Sequence, residues 1–346
     1  MDSEFDHALN QVADNAVQLS RKLLATLSSP TRAETERFAA LCASLDAARK
    51  REMFMRMVEY AEENFELDFV DLFRASLEDA DATVRRLAIE GLWEDERTDL
   101  VQRLLHMLAN DPEAQVRAAA ASSLGRFLFK AECEELDERY GRLIRERLES
   151  VIADLNEDLD VRRRAVESIA YINDDKVRVI IDRTYDDDDH RMRESAVFAM
   201  GRNADPFWQE TVLAELYAAS PAMRYEAARA SGEMSLRRAV TRLIRLIEDV
   251  DVEVRQMAIW ALGQIGGKRA KATLERYLES DDDAIVDAAE EALSELEFSN
   301  GSWDMMVHEF ADSDLVEVDA LEDDEDEFDD LEDEEDDSWG DDYLDI

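Results

Sequence analysis

The sequence predicts an all-α fold, a right-handed solenoid of stacked helix pairs that ends in a disordered acidic tail. Three observations lead there. A short frame of valine, arginine, alanine and glycine returns at a near-constant interval. A second stretch of helical periodicity precedes each copy. Glycine and proline number only ten and four in 346 residues, so architectures built on strands and tight turns lack their punctuation.

The frame is plainest in VEVRQMAIWALGQIG (252–266), through Val254, Arg255, Ala258, Leu262 and Gly263. Its valine-like position falls at 84, 116, 161, 192, 223 and 254, with gaps of 32, 45, 31, 31 and 31. A degenerate seventh copy starts at Ile285, with Val286 in place of the arginine. The long gap locates an insertion near 127–152, which reads as a lengthened helix pair.

With the valine-like residue as 0, positions 0, 4 and 8 share one helical face and form the core. Alanine at 4 allows close approach of neighbouring helices. An aspartate at −3 (Asp81, Asp158, Asp189, Asp251) stands where a helix N-cap belongs. Glycine at 9 suits the left-handed residue that stops a helix. One such pair cannot bury its apolar faces alone, but a stack can.

Upstream, 31–63 shows helix-pair periodicity without the frame. Residues 4–27 read as one amphipathic helix through Phe5, Leu9, Val12, Ala16, Leu19 and Leu23. The organisation expected is N-terminal capping helices over 1–64, about seven repeats over 65–298, and an acidic tail over 299–346.

The segment ALGQIGGKRAKATLERYLESDDDAIVDAAEEAL (261–293) and the D-x-x-V-R-x-x-A-x-x-x-L-G frame resemble short HEAT-like repeats of phycobilisome-lyase-type proteins. The resemblance covers about residues 65–298. It implies a structural Asp–Arg ladder through Arg85, Arg117, Arg162, Arg193, Arg224 and Arg255. Position 1 borders the core face, which also directs these arginines between repeats. The shared frame is structural and transfers no catalytic residue. A bilin-lyase-like or other small-ligand enzyme subunit stands as the alternative to a binding scaffold.

Acidic residues outnumber basic ones 86 to 40, for a net charge of −46. Nucleic acid is therefore excluded as the main ligand, because phosphate binding needs a basic face. The expected partner is a protein with a basic surface. No apolar run reaches the roughly 20 residues of a membrane helix, and the N-terminus has no basic segment of a signal peptide. Cys42 and Cys133 lie in apolar helical patterns and read as buried thiols of a cytoplasmic protein.

Nucleotide-binding, hydrolase and zinc-protease motifs are missing from the sequence. The HEAT-like deoxyhypusine hydroxylases need several His-Glu pairs for iron, and here only His308-Glu309 makes that dipeptide. Asp186 to Asp189 lack the spaced ligands of a calcium loop and read as a turn that caps the next helix. No catalytic residue, metal or cofactor is expected.

Binding residues are sought at positions 2 and 6 of the second helices, which point away from the core onto the concave face. Phe198, Tyr225 and Trp260 form an aromatic stripe there, with Arg163 and Arg229 nearby. Aromatic and arginine residues dominate binding hot spots. The competing reading makes the stripe an extension of the core. The tail carries 23 acids and no lysine or arginine, punctuated by Phe328, Trp339, Tyr343 and Leu344. It solubilises, recognises a basic partner, or folds back to shield the concave face.

Overall fold

The protein is described here by a computed structural model, which covers the backbone of residues 3–311 and the side chains of 3–298. Met1–Leu296 is one compact unit and Glu297–Ile346 a second. The chain opens with α1 (Glu4–Ala13) and α2 (Arg21–Ala25), then the pair α3 (Arg32–Cys42) and α4 (Ala47–Glu63). Seven pairs follow among the described residues. They are α5 (Val70–Ala75) with α6 (Ala82–Glu90), α7 (Thr98–Asn110) with α8 (Ala114–Glu132), and α9 (Glu138–Ala153) with α10 (Leu159–Ile169). Next come α11 (Asp175–Tyr185) with α12 (His190–Asn203) and α13 (Gln209–Glu215) with α14 (Pro221–Glu233). The last are α15 (Val240–Leu246) with α16 (Val252–Ile265) and α17 (Lys268–Tyr277) with α18 (Asp283–Ala311).

From α6 to α16, each second helix packs on its own first helix and on the neighbouring second helices. The inner layer thus runs α6, α8, α10, α12, α14, α16 in order. The frame explains the packing. Val84, Val116, Val161 and Val254 are buried, and Ala88, Ala120, Ala165, Ala196, Ala227 and Ala258 are fully so. Burying each valine removes it from water for roughly 1.5–3 kcal/mol. The four aspartates at −3 all cap their helices. Asp251, for example, accepts from the N–H groups of Glu253 and Val254 at 2.9 and 3.2 Å. The insertion lengthens two successive helices of adjoining pairs rather than one pair, with α8 at 19 residues and α9 at 16.

Three expectations are corrected. Residues 4–27 do not form one helix. α1 ends at Ala13, Ser20 caps α2, and Ala16 is exposed. Asp14 accepts the N–H of Ala16 at 2.9 Å, a local bond that competes with helix. Arg49 of α4 then takes the freed carbonyls of Val12, Asp14 and Val17 at 3.0, 3.1 and 2.7 Å. Cys133 is exposed at the end of α8. Cys42 is buried, and burial pushes its thiol pKa up to about 12.

The third correction concerns glycine at position 9. Gly125, Gly201, Gly232 and Gly263 lie inside α8, α12, α14 and α16 and stop nothing. They are sites of closest approach. A Cβ on Gly201 would lie 2.6 Å from Ala230 Cα, and one on Gly263 2.9 Å from Ala292 Cβ.

The arginines do two jobs. In Arg85, Arg117, Arg224 and Arg255, one terminal nitrogen takes turn carbonyls of the same repeat, such as Asp79 O at 2.9 Å from Arg85. The rest of the guanidinium reaches an acid in the next turn. Arg85 forks onto Asp111 and Arg224 onto Asp249, each with two bonds of 2.8 Å. Arg117 forks onto Glu157 at 3.1 and 2.7 Å, keeping the rung across the insertion. Arg255 meets Asp282 at 3.9 Å. Lys50 of α4 extends the ladder upstream, 2.6 Å from Asp79.

Two positions depart from this pattern. Arg162 donates to Ile152 O at 3.4 Å, and Arg193 caps the carbonyls of Asp187 and Asp188. For Arg193 the cause is in the sequence. The residue five before the valine-like position is Asp111 or Asp249 elsewhere, but Ala218 here. Ala218→Asp is therefore expected to supply the rung and add up to about 1 kcal/mol. Urea unfolding of the variant checks this, and an unchanged midpoint would show that Arg193 does not reach across.

Candidate functional site

A groove of about 1250 Å³ crosses the second helices from α10 to α18. Its walls come from three lanes of the repeat. Position 2 supplies Arg163, Glu194, Tyr225, Gln256 and Asp287. Position 3 supplies Arg164, Ser195, Glu226, Met257 and Ala288. Position 6 supplies Glu167, Phe198, Trp260 and Glu291.

The stripe residues Phe198, Tyr225 and Trp260 all line this groove, and all are half-buried. Each therefore joins core and surface. Trp260 sits against Gly232, where a Cβ would come within 2.7 Å of its ring. Phe198 is held from below by the Arg229 guanidinium, 3.7 Å from its ring centre. Burial raises the Tyr225 hydroxyl above its ordinary pKa, so it stays a neutral donor.

Arg163 lines the groove but its guanidinium is engaged. Its Nε donates to Ser195 Oγ at 3.0 Å and Arg191 O at 3.1 Å, and it pairs with Asp160 at 3.1 Å. Arg229 does not line the groove, contrary to the sequence expectation. It is 8% exposed beneath Phe198, tied to Glu226 at 2.9 Å, Glu233 at 2.6 Å and Phe198 O at 3.0 Å. It braces the platform from within. The ladder arginines do not line the groove either.

Sequence reasoning missed position 3 and the acidic rim. Position 3 is adjacent to 2 and 6 on the helical wheel, and that geometry alone could have found Glu226 and Met257. Asp287, Glu291 and Glu295 belong to the degenerate seventh copy, whose missing arginine obscured it. Burial lifts the Glu226 carboxyl above its ordinary pKa; Arg229 opposes this, while Glu167 and Glu233 add to it.

The groove's charge is uneven. The wall from α10 and α12 balances Arg163 and Arg164 against Glu167 and Glu194. The wall from α14 to α18 carries Glu226, Asp251, Glu253, Asp287, Glu291 and Glu295, with no lysine or arginine. Among the described residues, no group of three or more His, Cys, Asp or Glu is placed to hold a metal ion. None of the described helices is long and apolar enough to cross a membrane. Asp189 caps α12 and Asp187 accepts the Asp189 N–H at 2.9 Å, so these two residues of the acidic run serve the turn. The tail residues Phe328, Trp339, Tyr343 and Leu344 lie outside the described residues.

This architecture agrees with the comparisons. A sequence profile of HEAT repeats matches residues 70–153 and 210–294. The chain carries HEAT repeats over these two stretches. No curated protein matches it significantly. Among solved structures, this HEAT-like chain is similar to the CpcE–CpcF complex of phycocyanin lyase from Nostoc sp. The identity is 17%, over 82% of this chain and 96% of that one, with a TM-score of 0.51. It is also similar to YibA of Escherichia coli, at 18% identity over 81% and 98% of the two chains, TM-score 0.44. Human deoxyhypusine hydroxylase in complex with glycerol matches at 14% identity over 77% and 96%, TM-score 0.33. At such identities the likeness concerns the fold.

Proposed function

We propose that this HEAT-like repeat protein is a non-catalytic scaffold or adaptor that binds a protein partner with a basic surface in the groove of its inner helices. The observation that carries this reading is the groove's composition. Tyr225, Trp260, Phe198 and Met257 offer apolar contact, beside a wall of acids without a basic residue. Aromatic anchors supply affinity, and complementary charge supplies rate and selectivity. The tail's 23 acids share the rim's sign, so like charge opposes the shielding role. The tail instead reinforces attraction of the same basic partner.

The enzyme-subunit alternative draws on the fold likeness alone. The groove residues perform no acid–base chemistry in this reading. The test is cross-linking capture from native lysate with full-length wild type beside Trp260→Ala and Tyr225→Ala. Partners captured by wild type are expected to drop at least about tenfold with either variant, as for truncated hot spots. An unchanged set would make the stripe part of the core and defeat the reading.

A further inference from the structure

The groove's uneven charge, with the spacing of its walls, says more about the occupant. This step rests on the groove being the binding site. The groove crosses the inner helices in turn, from α10 through α12, α14 and α16 to α18. Packed helices stand 8–10 Å apart, so four steps span roughly 40 Å. An α-helix advances 1.5 Å per residue, so its residues seven apart are separated by about 10.5 Å. That interval matches the step from one inner helix to the next. An occupant helix lying across the repeats offers one same-face residue to each of them. Extended chain also covers the step, in about three residues, but residues three apart point to opposite faces, so it cannot offer a same-face residue to each successive helix.

The walls also fix a direction. Over α16 and α18 an occupant meets Glu253, Asp287, Glu291 and Glu295, all exposed. Over α14 and the adjoining part of α16 it meets Tyr225, Met257 and Trp260. Over α10 it meets Arg163 and Arg164, paired with Asp160 at 3.1 Å and Glu167 at 2.6 Å, so this end lacks the acidic excess of the other. A helix N-terminus carries positive and a C-terminus negative partial charge. Dipole and side chains therefore favour one orientation.

We infer that the groove takes an amphipathic helix of a partner protein in one direction. The basic N-terminal half lies over α16 and α18, apolar residues lie on Tyr225, Met257 and Trp260, and the carboxyl end lies toward Arg163 and Arg164. This is helix-in-groove recognition with the direction set by charge.

The test uses two labelled synthetic peptides of about 28 residues, long enough as helices to span the groove, identical in composition and with leucine at helical spacing. One confines its lysines to the N-terminal half, the other to the C-terminal half. Fluorescence anisotropy with the full-length protein gives their affinities. The first is expected to bind about tenfold tighter, and a Glu253→Lys/Glu291→Lys variant should erase the difference by weakening only the first. Equal affinities that both fall with Trp260→Ala would overturn the direction and leave the groove as the site. Binding that survives both Trp260→Ala and the charge reversal would place the peptides elsewhere and overturn the groove reading as well.

Discussion

Arg224→Ala should, with its counterpart Arg85→Ala, be the most damaging truncation in the ladder, costing about 3 kcal/mol at neutral pH. Side chains of Arg224 and its partner Asp249 are only 10% and 8% exposed. Removing the guanidinium strands a carboxylate that burial disfavours and frees the carbonyls of Ala218 and Ala219, which Arg224 caps at 2.9 and 3.0 Å. Arg193→Ala is expected to cost about 1 kcal/mol, since it gives up carbonyl bonds without orphaning an acid. Urea unfolding of both variants separates the two roles of the arginine. Equal deficits would mean that the inter-repeat fork contributes nothing beyond the carbonyl cap. Each repeat contacts only its neighbours, so the Arg224 deficit should appear as an earlier, separate transition.

The pH dependence follows from the same pair. Hydrogen bonds from Arg224 hold the Asp249 carboxyl below its ordinary pKa, against burial. A carboxyl with a depressed folded pKa stabilises above its unfolded value of about 3.9 and loses that stabilisation as pH falls through the folded value. The gap between wild type and Arg224→Ala should therefore narrow below about pH 4. A gap that stayed constant down to pH 3 would show that Asp249 is not the group left stranded.

The repeat was legible because its signals are local. The core positions 0, 4 and 8 and the arginine recur in one chain six times over, and the aspartate cap four times, so each copy confirms the others. What failed were residues whose role is set by the neighbouring repeat. Glycine at position 9 has the identity of a helix stop but serves as a contact, since what it touches lies some 30 residues away, Ala230 for Gly201. Arg229 has the position of a groove residue, yet the Phe198 ring of the preceding repeat covers it. The acidic rim was hidden for another reason. An acidic chain makes every carboxylate look like solvated surface, and only the fold gathers Glu253, Glu291 and Glu295 along one wall. Lys50 escaped notice because its repeat lacks the frame, though it pairs with Asp79 as the arginines pair with theirs.

Gly201→Ala tests whether that close packing also sets the binding surface. In an ordinary helix the change would add about 1 kcal/mol through propensity. Here the new Cβ would meet Ala230 Cα at 2.6 Å and Ala230 Cβ at 2.8 Å. The first is backbone, so no rotamer change relieves it, and α12 must move from α14. Overpacking of this kind costs about 3 kcal/mol at the upper end, leaving a net loss of about 2 kcal/mol. Gly125→Ala should cost less, because its nearest contact at 2.9 Å is the Ser168 hydroxyl, a side-chain atom. The displaced helices carry Phe198 and Tyr225 into the groove. Gly201→Ala should thus weaken peptide binding even under conditions where the variant is fully folded, whereas Gly125→Ala should not. If Gly201→Ala lowered the unfolding midpoint but left anisotropy titrations unchanged, the spacing of α12 and α14 would be a matter of stability alone.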